Sequence, residues 1–504
     1  MQGVLIARAM DDLRAKVEDA AALLEALAEN PRLLAQLSEE QRHRLMIAAG
    51  QVSRPDRASA RARRKAFGKK ARDDIRKSDQ NVLESTGIRE ARRAPVFSAP
   101  PLLPSAAAIP DDAPELLEAR KCYVCKREFL KVHPFYDQMC GPCGELNYNK
   151  RFQSCDLTGR YAVVTGARVK IGYFAALKLL RAGCHVVVTT RFPRDAAARY
   201  AREEDFESFR DRLEVHGLDL RHTPSVEAFS HHLLERLPRL DFILNNACQT
   251  VRRPPSFYKH MMELELAAPA EHLRPLLASH EDLRERRLRD GLTVREALPR
   301  EAGLLASAEL SQIPLLPEDG GADLHLFPEG KLDADLQQVD LRGRNSWRLT
   351  LSEVASVELL EVQLVNAVAP FVLNARLKPL MARVPTRDKH VVNVSAMEGQ
   401  FYRAWKTDRH PHTNMAKAAL NMMTRTSAPD YIKDGIHMNS VDTGWITDED
   451  PVEVAMKKVE EHGFSPPLDV VDGAARIVDP IFDGFLTGEH KWGLFLKDYA
   501  PAAW

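Results

Sequence analysis

YAVVTGARVKIGYFAALKLLRAGCHVVVTTR, residues 161–191, changes periodicity twice. Residues 162–165 are an apolar run of strand length. Phe174, Leu177, Leu179 and Leu180 then recur at the spacing of an amphipathic helix, and 185–190 is a second apolar run. Strand, turn, helix and strand in that order make the first βαβ unit of a doubly wound parallel sheet. Gly166 permits the tight turn, and Gly172 lets the helix approach the sheet. Between them the helix N-terminus offers free N–H groups to a pyrophosphate.

Further motifs follow in a fixed order. They are T-G-x-x-x-x-I-G (Thr165, Gly166, Ile171, Gly172), Asn245-Asn246-Ala247, and Asn366 within LVNAVAPFVLNARLKPLM. Ser395 in VVNVSAMEG, Lys417 in NMAKAAL and NSVDTGWIT (439–447) complete the series. This series resembles the short-chain dehydrogenases/reductases over residues 156–504, apart from one long insertion. The resemblance implies a Rossmann-like α/β fold, a nicotinamide dinucleotide, oxidoreductase chemistry on a carbonyl or alcohol, and a homo-oligomer. Carried over residue by residue, it assigns the phosphate turn to Gly166, Arg168, Lys170, Ile171 and Gly172. It assigns the adenine contact to Asp219 and Leu220, and the adenosine side to Asn246 and Ala247. Thr443, Gly444 and Thr447 would meet the nicotinamide amide and phosphates, and Lys417 the nicotinamide ribose.

The second strand ends in Thr189-Thr190-Arg191. An acidic residue there would accept from ribose hydroxyls and select NAD(H), whereas a basic one suits a 2′-phosphate. Arg191, helped by Arg168, therefore points to NADP(H). The plainer alternative is a surface arginine. Lys170 stands where the family has its middle glycine, and Cys248, read as a packed thiol, replaces another.

Carbonyl reduction needs a hydride facing carbon and a proton for oxygen. The family supplies the proton from a Tyr four residues before the Lys. Here that position is Thr413, whose hydroxyl is a far weaker acid than a phenol of pKa ~10. The second Ser of the strand motif is Ala396, so Ser395 lies one residue early and, by strand alternation, faces the other way. Asn366 and Lys417 stand; the Ser and Tyr do not. Two readings stay open. One is an oxidoreductase with a relocated acid, Tyr402 or His412. The other is an NADP(H)-binding scaffold or sensor without turnover. No polar pattern marks the substrate.

Two C-x-x-C pairs, Cys122/Cys125 and Cys140/Cys143, precede this domain. Paired thiolates from two tight loops complete a closed tetrahedral Zn²⁺ site, structural because no position is left open. Cys-Gly-Pro-Cys also occurs in redox dithiols, but a second pair lies just upstream and no thioredoxin-like framework surrounds it. His133, between the pairs, is not needed as a ligand.

The domain plan is a helical and basic region at 1–93, a Pro/Ala-rich linker at 94–114 and a zinc-ribbon-like module at 115–153. The dinucleotide-binding domain spans 154–504, with an insertion at 251–345 read as a lid or an interface. Ser38 with Gln41 reads as a capping box. Residues 54–77 carry eleven Lys/Arg against three Asp, a surface for an anionic partner or simply a solvated helix. Lys+Arg and Asp+Glu are 71 each, so no global field favours nucleic acid or membrane. No apolar run approaches the ~20 residues of a membrane span. The N-terminus lacks signal-peptide features, and the cysteine pattern suits a reducing compartment, so a cytoplasmic protein is expected.

Overall fold

Asn30 and Ser38 punctuate the N-terminal helices. The computed structural model describes residues 2–97, 113–289, 302–320, 324–402, 406–462 and 465–504. It divides into two units, Met1–Ser78 and Asp79–Trp504. In the first, helix Gln2–Glu29 stops at Asn30, whose side chain accepts from Arg32 N at 3.2 Å as Pro31 opens a 3₁₀ turn. Ser38 and Gln41 exchange bonds of 3.2 and 3.0 Å at the start of helix Glu39–Ser53, a reciprocal cap. The basic stretch lies largely on helix Arg57–Glu84.

The second unit opens with the end of helix Arg57–Glu84 and helix Gly87–Arg93; after residues 98–112 of the linker (outside the described residues) comes a hairpin of β1 (Glu115–Lys121) and β2 (Glu128–Lys131). Helix Gly141–Phe152 follows. The main sheet comprises β3 (Tyr161–Thr165), β4 (His185–Thr190), β5 (Leu213–Gly217), β6 (Phe242–Asn245), β7 (Lys389–Ser395), β8 (Ile436–Asp442), β9 (Phe495–Lys497) and β10 (Ala500–Ala502). Their order is β10-β9-β8-β7-β6-β3-β4-β5. All pairings are parallel except β9 with β10. Asp498 and Tyr499 both take positive φ there, as a two-residue hairpin turn requires. Strand order reverses between β3 and β6, the crevice where this topology takes ligands.

Side-chain alternation sorts the strands into two layers. Val163, Val187, Ile243 and Val391 pack with helices Thr223–Arg236, Ala369–Ala382 and Pro411–Tyr431. Ala162, Val164, Val188 and Leu244 face helices Lys170–Arg181 and Val470–Thr487. The cysteine module joins the latter core through Phe129, Val132 and Tyr136. Ionic ties reinforce it. Arg151 Nη1 lies 2.6 Å from Asp469 and 3.0 Å from Asp472, Tyr136 donates to Asp472 at 2.5 Å, and Lys150 lies 2.5 Å from Asp479.

Some expectations change. The start of the insertion, helical by its sequence over 262–294, forms two helices, Pro255–Leu266 and Arg274–Arg289; Pro269, lacking an N–H, falls in the break. Residues 290–294 lie outside the described residues. The third strand, which the sequence extends over 213–222, ends at Gly217, and Asp219 N donates to Gly303 O at 2.6 Å. The segment Ser356–Ala382 is long and apolar enough to span a membrane by length and composition. Here it packs beside the sheet, with a π-turn at Leu364–Val368.

Candidate active site and cysteine cluster

A cavity of about 540 Å³ opens at the carboxyl ends of β3, β4 and β6. Its floor is the turn the sequence singled out. Gly166 has φ +66, and a Cβ there would lie 2.7 Å from Ala247 Cα. A Cβ on Gly172 would meet Asn246 Nδ2 at 2.3 Å and Gly166 O at 2.4 Å. Both positions thus exclude larger residues. Asn246 Nδ2 donates to Thr165 O and Gly166 O (3.1 and 3.2 Å), while Thr165 Oγ1 accepts from the amides of Asn246 and Ala247 (3.1 and 3.0 Å). Asn246 and Ala247 therefore brace the turn. Lys170, where the family has glycine, keeps a glycine-like φ of +56. Val169 provides no side-chain cap to helix Lys170–Arg181, which leaves its first-turn amides available to an anion. Ile171 lies beside them in the wall.

Arg191 borders the cavity at the end of β4. Its Nη2 donates to Tyr258 Oη at 2.7 Å, and its guanidinium lies 4.6 Å from the centre of the Tyr258 ring. Arg168, expected to assist, is buried and bound to Asp195 at 2.7 Å and to Gln337 at 3.2 Å. Burial lowers the Arg168 pKa, against the pull of Asp195. The Asp219 carboxylate is taken by Arg221 at 2.6 Å, and Arg221 reaches Glu361 at 2.7 Å. Burial works against the charge on Asp219, but Arg221 outweighs it and lowers its pKa. What Asp219 and Leu220 present to the cavity is wall surface.

The insertion supplies the facing wall through Arg253, Phe257, Tyr258, Gln337 and Arg342. Its point of departure from the sheet was visible in the sequence; which of its residues face inward was not.

Asn366 sits in the π-turn and forms a reciprocal pair with Gln249. Gln249 N donates to its Oδ1 at 2.8 Å, and its Nδ2 donates to Gln249 O at 3.1 Å. Lys417 Nζ is buried and donates to Val394 O at 2.8 Å. Ser395 Oγ and Thr413 Oγ1 are buried without hydrogen-bond partners among the described residues. Tyr402 is 51% exposed, with its hydroxyl 3.9 Å from Met397 Sδ. None of Ser395, Tyr402, Thr413 or Lys417 lines the cavity, whereas Val365, Ile446 and Thr447 do. His412 is buried, 3.5 Å from Glu358. His410, held at φ 42, stacks on Trp347 with ring centres 3.8 Å apart and fixes the start of helix Pro411–Tyr431. Burial lowers the His410 pKa to about 4.

After β8, Gly444 has φ +80, and a Cβ would lie 2.5 Å from Leu468 and 3.1 Å from Tyr123 Oη. Trp445 N donates to that same hydroxyl at 3.0 Å. Tyr123, inside the first C-x-x-C, thus buttresses the loop of Thr443 and Gly444, a contact with no sequence signal. Neither Thr443 nor Gly444 lines the cavity; Thr447 does, donating to Glu449 at 2.7 Å.

The sulfurs of Cys122, Cys125, Cys140 and Cys143 all lie within 4.8 Å of one another, with Cys125 and Cys140 3.6 Å apart. A tetrahedral zinc with ~2.3 Å bonds needs sulfurs roughly 3.8 Å apart, so the donor set fits. Positive φ at Lys126 closes the first knuckle, and Cys140 stands at the N-cap position of helix Gly141–Phe152 without a side-chain cap bond. Arg127 donates to Cys125 at 3.5 Å and holds that thiol down to about 6. His133 lies outside the tetrad: its Nδ1 accepts from the amides of Phe135 and Tyr136 at 3.1 and 3.3 Å. Burial lowers its pKa to about 4.

Residues 160–266 match the short chain dehydrogenase family, and residues 344–462 match the enoyl-(acyl carrier protein) reductase family. The uncharacterized protein R665 of Acanthamoeba polyphaga mimivirus is 32% identical over 379 residues, 72% of this chain and 71% of the relative. Human dehydrogenase/reductase SDR family member 13 is 34% identical over 145 residues, 28% of this chain and 33% of that protein. A solved RhlG/NADP active-site complex from Pseudomonas aeruginosa is 17% identical, with a TM-score of 0.42 over 68% of this chain and 95% of that one.

Proposed function

We propose that this chain, whose residues 160–266 and 344–462 match the short chain dehydrogenase and enoyl-(acyl carrier protein) reductase families, is an NADP(H)-dependent oxidoreductase of the short-chain dehydrogenase/reductase type acting on a carbonyl or alcohol. The observation that carries this reading is Arg191, poised on Tyr258 where the second strand enters the cavity. There a guanidinium suits a 2′-phosphate. The cofactor supplies the hydride when bound. The first-turn amides after Val169 and the Lys170 ammonium would hold its phosphates, and Leu218–Leu220 and the insertion would enclose its adenosine side. Asn366 fixes the loop after β6.

A second reading is retention of NADP(H) without turnover, as scaffold or sensor. It is favoured by the burial of Ser395, Thr413 and Lys417 behind the cavity wall. One experiment separates the two. NADPH consumed in the presence of any member of a broad aldehyde and ketone panel supports the oxidoreductase. Tight NADPH binding, seen by fluorescence, with no consumption supports the scaffold. No binding at millimolar NADPH sinks both.

We further propose that the cysteine tetrad holds a structural Zn²⁺; its four free thiols suit a reducing setting and support a cytoplasmic location. Exposed Leu360, Phe371, Met415 and Met422, on the helices carrying Asn366 and Lys417, support a homo-oligomer. The solvent-facing basic residues of 57–77 support an anionic partner for that helix.

A further inference from the structure

We propose that His390, His437 and His490 form a second metal site, for a divalent transition ion of the Zn²⁺ class. It lies at the amino-terminal edge of the sheet, opposite the cofactor cavity. His390 and His437 are register partners near the starts of the adjacent parallel strands β7 and β8, so their side chains leave the same face. The third imidazole arrives from the loop after helix Val470–Thr487. Gly484 makes room for it: a Cβ there would stand 2.4 Å from His490 Nδ1.

One ring nitrogen from each residue lies within 4.8 Å of the others, and His390 Nε2 is 2.9 Å from His490 Nδ1. Three imidazoles on a tetrahedral ion with ~2.0 Å bonds place their nitrogens roughly 3.3 Å apart. Adjustments on the scale of an ångström convert the cluster into a bound site. The outer contacts suit it as well. His437 Nδ1 lies 3.2 Å from Lys389 O, the backbone contact that fixes a ligating imidazole's tautomer and leaves Nε2 free for metal.

As a bare cluster the trio is poorly satisfied. His390 Nε2 and His490 Nδ1 face each other at 2.9 Å and must share a single proton between them, whereas an ion would take both lone pairs. Buried polar groups normally do better. The rings of Phe242 and Phe485 flank the group at 6.2 Å from His390 and 5.8 Å from His490. The nearby carboxylates are engaged: Asp388 by Arg160 at 2.6 Å, and Asp241 by Arg160 and Arg239 at 3.0 and 2.5 Å. The fourth position therefore falls to water. Half-buried His490 gives the ion its route in. Imidazole donors favour Zn²⁺, Cu²⁺, Ni²⁺ and Co²⁺ over the oxygen-seeking Mg²⁺ and Ca²⁺. Such an ion ties the starts of two central strands to the loop that leads into β9.

The test is Co²⁺ titration of the full-length, metal-stripped protein under reducing conditions. We expect two populations: one showing the near-ultraviolet charge-transfer band of thiolate ligation, the other only weak visible d–d bands. His490→Ala and His437→Gln should each weaken the second at least ten-fold and leave the thiolate band intact, which also reports a folded cysteine module. Extended X-ray absorption of the Zn²⁺-loaded Cys125→Ser protein should show imidazole scattering, lost in the Cys125→Ser/His490→Ala double variant. A wild-type protein without a histidine-dependent equivalent, or one unaffected by both substitutions, overturns the proposal.

Discussion

Asn366 and Gln249 are bonded to each other twice, amide N–H to Oδ1 at 2.8 Å and Nδ2 to carbonyl at 3.1 Å. The pair ties the π-turn of one helix to the loop leaving β6, across the wall of the cavity. Asn366→Ala removes both partners of a backbone unit at once. A loss of about 1–3 kcal/mol in urea-derived stability is expected, together with weaker NADPH binding. Unchanged values of both quantities would show that the loop is held by something else.

The proposed preference for NADP(H) rests on Arg191. Arg191→Ala should raise the Kd for NADPH at least ten-fold and leave that for NADH within about two-fold, as loss of one charge-assisted phosphate contact predicts. Tyr258→Phe, which keeps the stacking and removes the 2.7 Å bond, should have a smaller effect in the same direction. Equal losses for both cofactors would remove the 2′-phosphate assignment.

Cys140→Ser should release one equivalent of zinc, read by atomic emission, and expose the module's core to protease. The loop of Gly444 depends on that module through Tyr123 and Trp445 at 3.0 Å. Tyr123→Phe should therefore perturb the Trp445 environment, seen in fluorescence, with the zinc retained. Full zinc content in Cys140→Ser would exclude the tetrad as the binding site.

Lys178 joins the helix of the first βαβ unit to the cysteine module, donating to Arg151 O at 2.7 Å and Gln153 O at 3.1 Å. Burial lowers its pKa from 10.5 to about 7. Between those values the unfolded chain binds a proton that the folded chain does not, so this group's contribution to stability rises with pH across the window. Lys178→Met lacks that dependence. The stability of wild type relative to the variant should climb from pH 7.5 to 9.5, by at most ~1.4 kcal/mol per pH unit. A difference independent of pH would mean that Lys178 stays charged in the fold.

Phe371, 59% exposed on the helix that carries Asn366, is expected at a subunit interface. Phe371→Asp should shift the protein toward monomer in sedimentation velocity without lowering its melting temperature by more than a few degrees. A wild-type monomer at tens of micromolar would sink the homo-oligomer.

The sequence by itself determined the βαβ unit, the turn after β3 with its two obligatory glycines and the spacing of the cysteine knuckles. These follow from periodicity and from residues a few positions apart, and near-neighbour sterics decide them. The tertiary structure alone decided what each charged or polar side chain does. Arg191 rests on Tyr258 from the insertion, while Arg168, identical in chemistry, is neutralised by Asp195. Lys417 donates its hydrogen bond to Val394 O and does not line the cavity. A long side chain takes whichever partner the packed fold brings within about 3 Å. Across the long separation of residues 251–345 from the first turn, no local pattern encodes that partner.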